Sequence, residues 1–146
     1  MPDRNLNITI NTEELKKLSE DIINIADTSI KYTALDLLSE TVKEMPVDTG
    51  RLQTSVDIGK LEKMSYYIGS NVFYRWWVHE GTGIFGPHGT PITPVNAEFL
   101  RFEINGQVFY RRSVKGQKPN RYYDRAIKNT SRKTQRFIDR AVAEYT

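Results

Sequence analysis

A chain of 146 residues has the length of one domain able to bury about two-thirds of its unfolded surface, which leaves no room for a second. It contains no cysteine, so disulfide scaffolds, thiol nucleophiles, zinc ribbons and iron–sulfur sites are excluded. A hydrophobic fraction of 38% and a mean hydropathy of −0.55 are lean, yet eight Tyr, six Phe and two Trp supply enough bulky apolar surface to order a core, and the shortfall points to a partner subunit.

The formal charge of +3 is unevenly spread: residues 1–57 carry six basic and eleven acidic side chains, a balance of −5, and residues 58–146 carry fifteen and seven, a balance of +8. Three readings fit this asymmetry. Opposite faces attract copies of the same chain head to tail, or the basic half meets nucleic acid, or the helix faces are simply solvated with unequal composition. The start, Met1-Pro2-Asp3-Arg4-Asn5, lacks the apolar core of a signal peptide, and no apolar run approaches the ~18 residues of a membrane span. A soluble chain made in the cytoplasm, without membrane contact, is therefore expected.

Residues 1–11 read as an N-terminal segment and 12–45 as a long helix. Asn11 can cap the N–H of Glu14, Glu14 can reach back, and Ile10 can staple onto Leu15. Leu15, Leu18, Ile22, Ile25, Ala26, Ile30, Ala34, Leu37, Leu38 and Val42 then keep three- and four-residue spacing up to Pro46. Such a helix runs to about 45 Å, longer than most small cores are wide, so part of its face is expected to meet a neighbour.

Residues 46–115 read as a roughly four-stranded antiparallel sheet. Ser55–Leu61 and Ser65–Ser70 form one pair, the aromatic run Val72–Val78 is strand-like, and Glu98–Ile104 and Gln107–Lys115 flank Asn105-Gly106, a strong hairpin turn. Between them, residues 81–96 hold four glycines and three prolines and read as a mobile loop. Lys118-Pro119 breaks the chain, Asn120 can cap, and an apolar stripe from Tyr123 to Tyr145 marks a C-terminal helix over 119–145 packing on the sheet. The fold class is α+β, in a single domain over 1–146.

Gly81-Thr82-Gly83-Ile84-Phe85-Gly86 has the spacing of a dinucleotide fingerprint, but Pro87, Gly89, Pro91 and Pro94 forbid the helix whose N-terminus would receive the pyrophosphate. His79, His88 and Glu80 make a thin metal set, and neither histidine has a nucleophile at motif spacing. No catalytic, cofactor-binding or metal-binding residues are expected. Arg111, Arg112, Lys115, Lys118, Arg121 and Arg125 with Tyr110, Tyr122 and Tyr123 suit either phosphate and base contacts or a strand edge guarded by charge. Trp76 and Trp77, on opposite faces of a strand, would offer one ring to an interface or lie buried under the loop.

Three elements in fixed order resemble the head-tail joining, or tail completion, neck proteins of long-tailed bacteriophages. Pro46-Val47-Asp48-Thr49-Gly50-Arg51-Leu52 followed by Ser55 is similar to that family's motif after its long N-terminal helix. Tyr74…Val78-His79-Glu80-Gly81-Thr82 is similar to its second element before a variable loop. Pro119…Ala126 is similar to the opening of its C-terminal helix. Trp76-Trp77 and Asn120-Arg121-Tyr122-Tyr123 depart from the family's usual residues.

The residue logic of these elements is architectural: Asp48 or Thr49 caps a turn, Gly50 permits a tight reversal, Glu80-Gly81-Thr82 ends a strand, and Arg51 is a partner for Glu80. The resemblance implies a non-enzymatic virion protein, made in the host cytoplasm and built into the neck as a ring of about six copies. Its neighbours there would be the head connector and the tail-tube or tail-terminator protein, with a passing contact to DNA. Trp76, Trp77, Phe85, Arg111, Arg112, Tyr122 and Tyr123 are the candidate interface residues. A minor tail component and a basic nucleic-acid-binding domain are the alternatives.

Overall fold

The computed structural model describes residues 9–146; the reading of Met1–Asn5 lies outside the described residues. Helix α1 (Thr12–Glu44) starts where the cap requires. The Asn11 side-chain oxygen accepts the N–H groups of Glu13 and Glu14 at 3.2 and 3.4 Å, pairing donors that the first turn cannot pair itself. Met45 leaves the helix in extended geometry just before Pro46. Ile10 and Leu15, the expected staple, are both exposed.

A short helix α2 (Arg51–Thr54) leads into β1 (Val56–Glu62) and β2 (Ser65–Ser70), an antiparallel hairpin with Val56 opposite Ser70 and a bulge between Lys60 and Glu62. This hairpin lies along α1. Asp27 accepts the Lys60 ammonium and the Met64 N–H, each at 2.7 Å, and Lys63 donates to Asn24 at 3.2 Å.

The expected four-stranded sheet is not formed. Val72–Val78 contributes no strand; its second half belongs to helix α3 (Arg75–Glu80). Tyr74 and Val78, one helical turn apart, both pack on the core beside Val72, and that tertiary gain overrides the aromatic preference for a strand. The remaining strands, β3 (Leu100–Ile104) and β4 (Gln107–Arg111), form a second, separate two-stranded sheet. Its turn is as predicted, with Asn105 at φ 52° and Gly106 at φ 79°, the left-handed pair that a two-residue hairpin turn needs.

The C-terminal helix is two helices, α4 (Tyr122–Ser131) and α5 (Thr134–Tyr145). Both pack along α1 rather than across a sheet. Small residues make the close approach: Ala34 on α1, Ala126 and Thr130 on α4 and Ala141 on α5 are buried. The break at Arg132–Lys133 turns Lys133 into a pair of α1 carboxylates, Asp36 and Glu40, at 3.0 and 2.9 Å. No helix among the described residues is long and apolar enough to cross a membrane.

The core lies at the lower end of α1. Met45, Leu52, Val72 and Tyr122 are buried together, with Val56, Tyr74, Val78 and Tyr123 packed around them. Tyr122 is fully enclosed, its hydroxyl donating to the Arg75 carbonyl at 3.1 Å, and burial pushes its phenol well above the usual range.

Candidate functional site

The three sequence elements, well separated along the chain, meet at this core. Pro46 ends α1, and Gly50 (φ 76°) opens α2 in a conformation that a side chain disfavours. Leu52 is thereby aimed inward. The Thr49 hydroxyl accepts the Arg51 N–H at 3.4 Å, so Thr49 supplies the turn contact and Asp48 stays exposed. Gln53 donates back to the Val42 carbonyl at 3.0 Å, and Ser55 donates to Leu52 at 2.6 Å while its hydroxyl meets that of Ser70 at 2.5 Å. A depression of about 300 Å³ is lined by Pro46 to Leu52, by Tyr74 and Val78 from the second element, and by Gln117 next to the third.

The expected Arg51–Glu80 ion pair is absent. Glu80 is held instead by Arg121 at 2.8 Å and by His79 Nδ1 at 2.9 Å; Arg51 is exposed and makes no ion pair among the described residues. The physical reason is chain path. The Asn120 and Arg121 N–H groups donate to the carbonyls of Val78 and His79 at 3.0 and 3.2 Å, which brings the start of the third element onto the end of α3 and puts Arg121 beside Glu80. His79 itself is buried, its ring edge-on to Tyr122 at 5.2 Å, and its Nε2 has no hydrogen-bond partner among the described residues, with Asp124 facing it at 3.7 Å. Among the described residues no cluster of three or more His, Asp or Glu could hold a metal ion.

Glu80 ends a helix rather than a strand, and the Gly81–Asn96 loop is tied to its own chain. Thr82 and Ile84 donate to the carbonyls of Gln117 and Lys115 at 2.9 and 2.8 Å, Gln117 donates to the Thr82 hydroxyl at 2.9 Å, and Ile92 and Val114 exchange both backbone bonds. The glycine spacing follows from this contact. A Cβ on Gly83 would lie 2.1 Å from the Lys115 carbonyl oxygen, and one on Gly116 would lie 2.2 Å from that of Thr82, so two backbones touch where a nucleotide fingerprint would have cradled phosphate.

Of the candidate interface residues, Trp76 and Trp77 lie on α3, 58% and 49% exposed, neither splayed across a strand nor covered. They line a cleft of about 470 Å³ with the loop from Gly81 to Thr93. Phe85 is partly exposed under the Lys118 ammonium. Arg111 and Arg112 are exposed at the end of β4, Arg112 facing Glu98 at 3.5 Å. Tyr122 is removed from this set, because it is the most enclosed side chain of the core, and Tyr123 is half-buried against it.

The acidic and basic parts of the chain meet within one molecule. Besides the Lys133 pairs, Arg125 reaches Glu44 at 2.5 Å, and hydrogen bonds from Lys133 and then Lys43 hold the Glu40 carboxyl down from 4.5 to about 2. The sequence reading missed Asp36, Glu40, Arg125 and Lys133 as joining residues. Their only trace is placement: carboxylates at 36, 40 and 44 recur every fourth residue on α1, one face of a helix. No family model, curated protein or solved structure matches this chain.

Proposed function

We propose that the chain is a non-enzymatic structural protein of a bacteriophage neck, joining head to tail as a ring of about six copies between the head connector and the tail tube. The observation that carries this reading is convergence: Leu52, Tyr74 and Val78, from the first two resembling segments, pack in or against a single core cluster with Tyr122, which the third segment brings there although it departs from the family's usual residue. A motif retained for architecture should behave in that way. The exposed rings of Trp76, Trp77 and Phe73 supply the aromatic anchors that protein interfaces favour.

Because α1 and the C-terminal helices already share much of the opposite charge, subunit contacts in such a ring rest on these aromatic surfaces more than on the charge asymmetry. The test is native mass spectrometry and particle imaging of the protein mixed with the head and tail proteins encoded beside it. A closed ring at the head–tail junction is the expected result; a monomer with every such partner overturns the reading. A basic nucleic-acid-binding domain is favoured by one feature, exposed Arg101, Tyr110, Arg111 and Arg112 on a single hairpin. Salt-dependent fluorescence polarisation with labelled duplex would support it, and no binding at low salt removes it.

A further inference from the structure

The β3–β4 hairpin is built unlike the rest of the chain. None of its residues is buried, and neither strand pairs with any other among the described residues. Phe102 and Phe109 stack across it at 5.8 Å, with Leu100 and Ile104 on the same face, while Ile104, Val108 and Tyr110 are exposed. A lone two-stranded sheet is marginal in water, and its edges are templates for another strand.

We propose that the β3 edge pairs with the β3 edge of a second copy, antiparallel about a two-fold axis at Phe102, making a four-stranded sheet from two chains. Backbone parity allows this register, and charge selects it among those that parity allows. A two-residue turn is closed by a hydrogen-bonded pair, here Ile104 and Gln107; the antiparallel alternation then directs the backbone N–H and C=O of Leu100, Phe102 and Ile104 toward β4 and those of Arg101 and Glu103 outward. A two-fold at Phe102 sets Arg101 of one copy opposite Glu103 of the other, twice, using those outward groups. Sliding to the next registers of the same parity sets Arg101 on Arg101 or Glu103 on Glu103, like charges that oppose pairing. Both side chains are exposed, and neither makes an ion pair among the described residues. β4 carries only positive charge, at Arg111, so no register against its own copy brings opposite charges together.

The pairing joins the two Phe102–Phe109 faces into one continuous apolar surface. Being two-fold, it is distinct from the rotational contacts of a ring and does not depend on the neck reading; it is a form of the free chain. Strands this short place it with the weak, concentration-dependent interfaces of under about 1,200 Å².

The experiment is sedimentation equilibrium of the full chain over a concentration series, for wild type, Arg101→Glu, Glu103→Arg and the double swap, with circular dichroism confirming that each is folded. The wild type is expected to dimerise, each single variant to associate about tenfold or more weakly, and the swap, which restores complementarity, to recover. A wild type that stays monomeric, single variants that dimerise unchanged, or a swap that fails to recover each overturns the proposal.

Discussion

Two hairpins of similar size divide this molecule into an anchored part and a projecting part. β1–β2 has an irregular turn, with Met64 at φ 62°, and is held by what lies beneath it: Asp27 and Asn24 on α1 bind its far end, while Val56 and Ser70 tie its base to the core. β3–β4 has the better turn and no buried residue. Local turn chemistry makes a hairpin, and only tertiary contact makes it part of the body. A strained, non-glycine turn survives where side chains beneath it supply the difference, and a favourable turn leaves its strands free to serve a contact with another molecule.

The largest expected way to break this contrast is Tyr122→Ala. It removes the ring that joins α3, α4 and the base of β1–β2, and a buried aromatic truncation of this kind costs about 3–5 kcal/mol. Thermal unfolding should shift strongly downward, and amide exchange in β1–β2 should rise to the level of β3–β4. An equal loss of protection in both hairpins without a change in global stability would contradict the comparison.

Asp27→Asn tests the anchor itself. The Lys60 hydrogen bond, then the Met64 N–H, holds the Asp27 carboxyl below its ordinary 3.8. A lowered folded pKa means that the stabilisation is present above 3.8 and is lost as pH falls through the folded value. Acid should therefore loosen β1–β2 in the wild type, and Asp27→Asn should loosen it already at neutral pH, with no effect on β3–β4. Amide exchange as a function of pH reads both.

Gly106→Ala acts on the projecting hairpin alone: a side chain at φ 79° costs about 1 kcal/mol, seen as faster exchange of β3 and β4 amides with an unchanged melting temperature. The smallest effect belongs to Arg51→Ala. The guanidinium is exposed and its expected partner Glu80 is held by Arg121, so stability should stay within about 0.5 kcal/mol of wild type, whereas Arg121→Ala should be measurably destabilising. The reverse order in a denaturant titration would restore the Arg51–Glu80 pairing that the structure lacks.

Much of the candidate site was legible as a set of segments and little of it as a set of contacts. Leu52 and Val78 could be read as apolar positions, and Thr49 and Gly50 as a turn, because each of those properties is decided by a few adjacent residues. That Tyr122 would fill the core rather than face a partner could not be read, since Tyr is at home in both settings. Glu80 drew the wrong cation because the choice between Arg51 and Arg121 depends on which chain segment lies against the end of α3.

The extent and cap of α1, the β1–β2 and β3–β4 pairings and the Asn105-Gly106 turn follow from short stretches of chain, being local matters of periodicity, capping and left-handed backbone. Packing between distant segments, by contrast, makes Arg75–Glu80 helical, splits the strands into two sheets, lays the C-terminal helices on α1 and joins the acidic and basic parts of the chain within one molecule. Those outcomes depend on burial and on charges brought together from up to about a hundred residues apart, where the free energy of packing exceeds any preference written into a short stretch of chain.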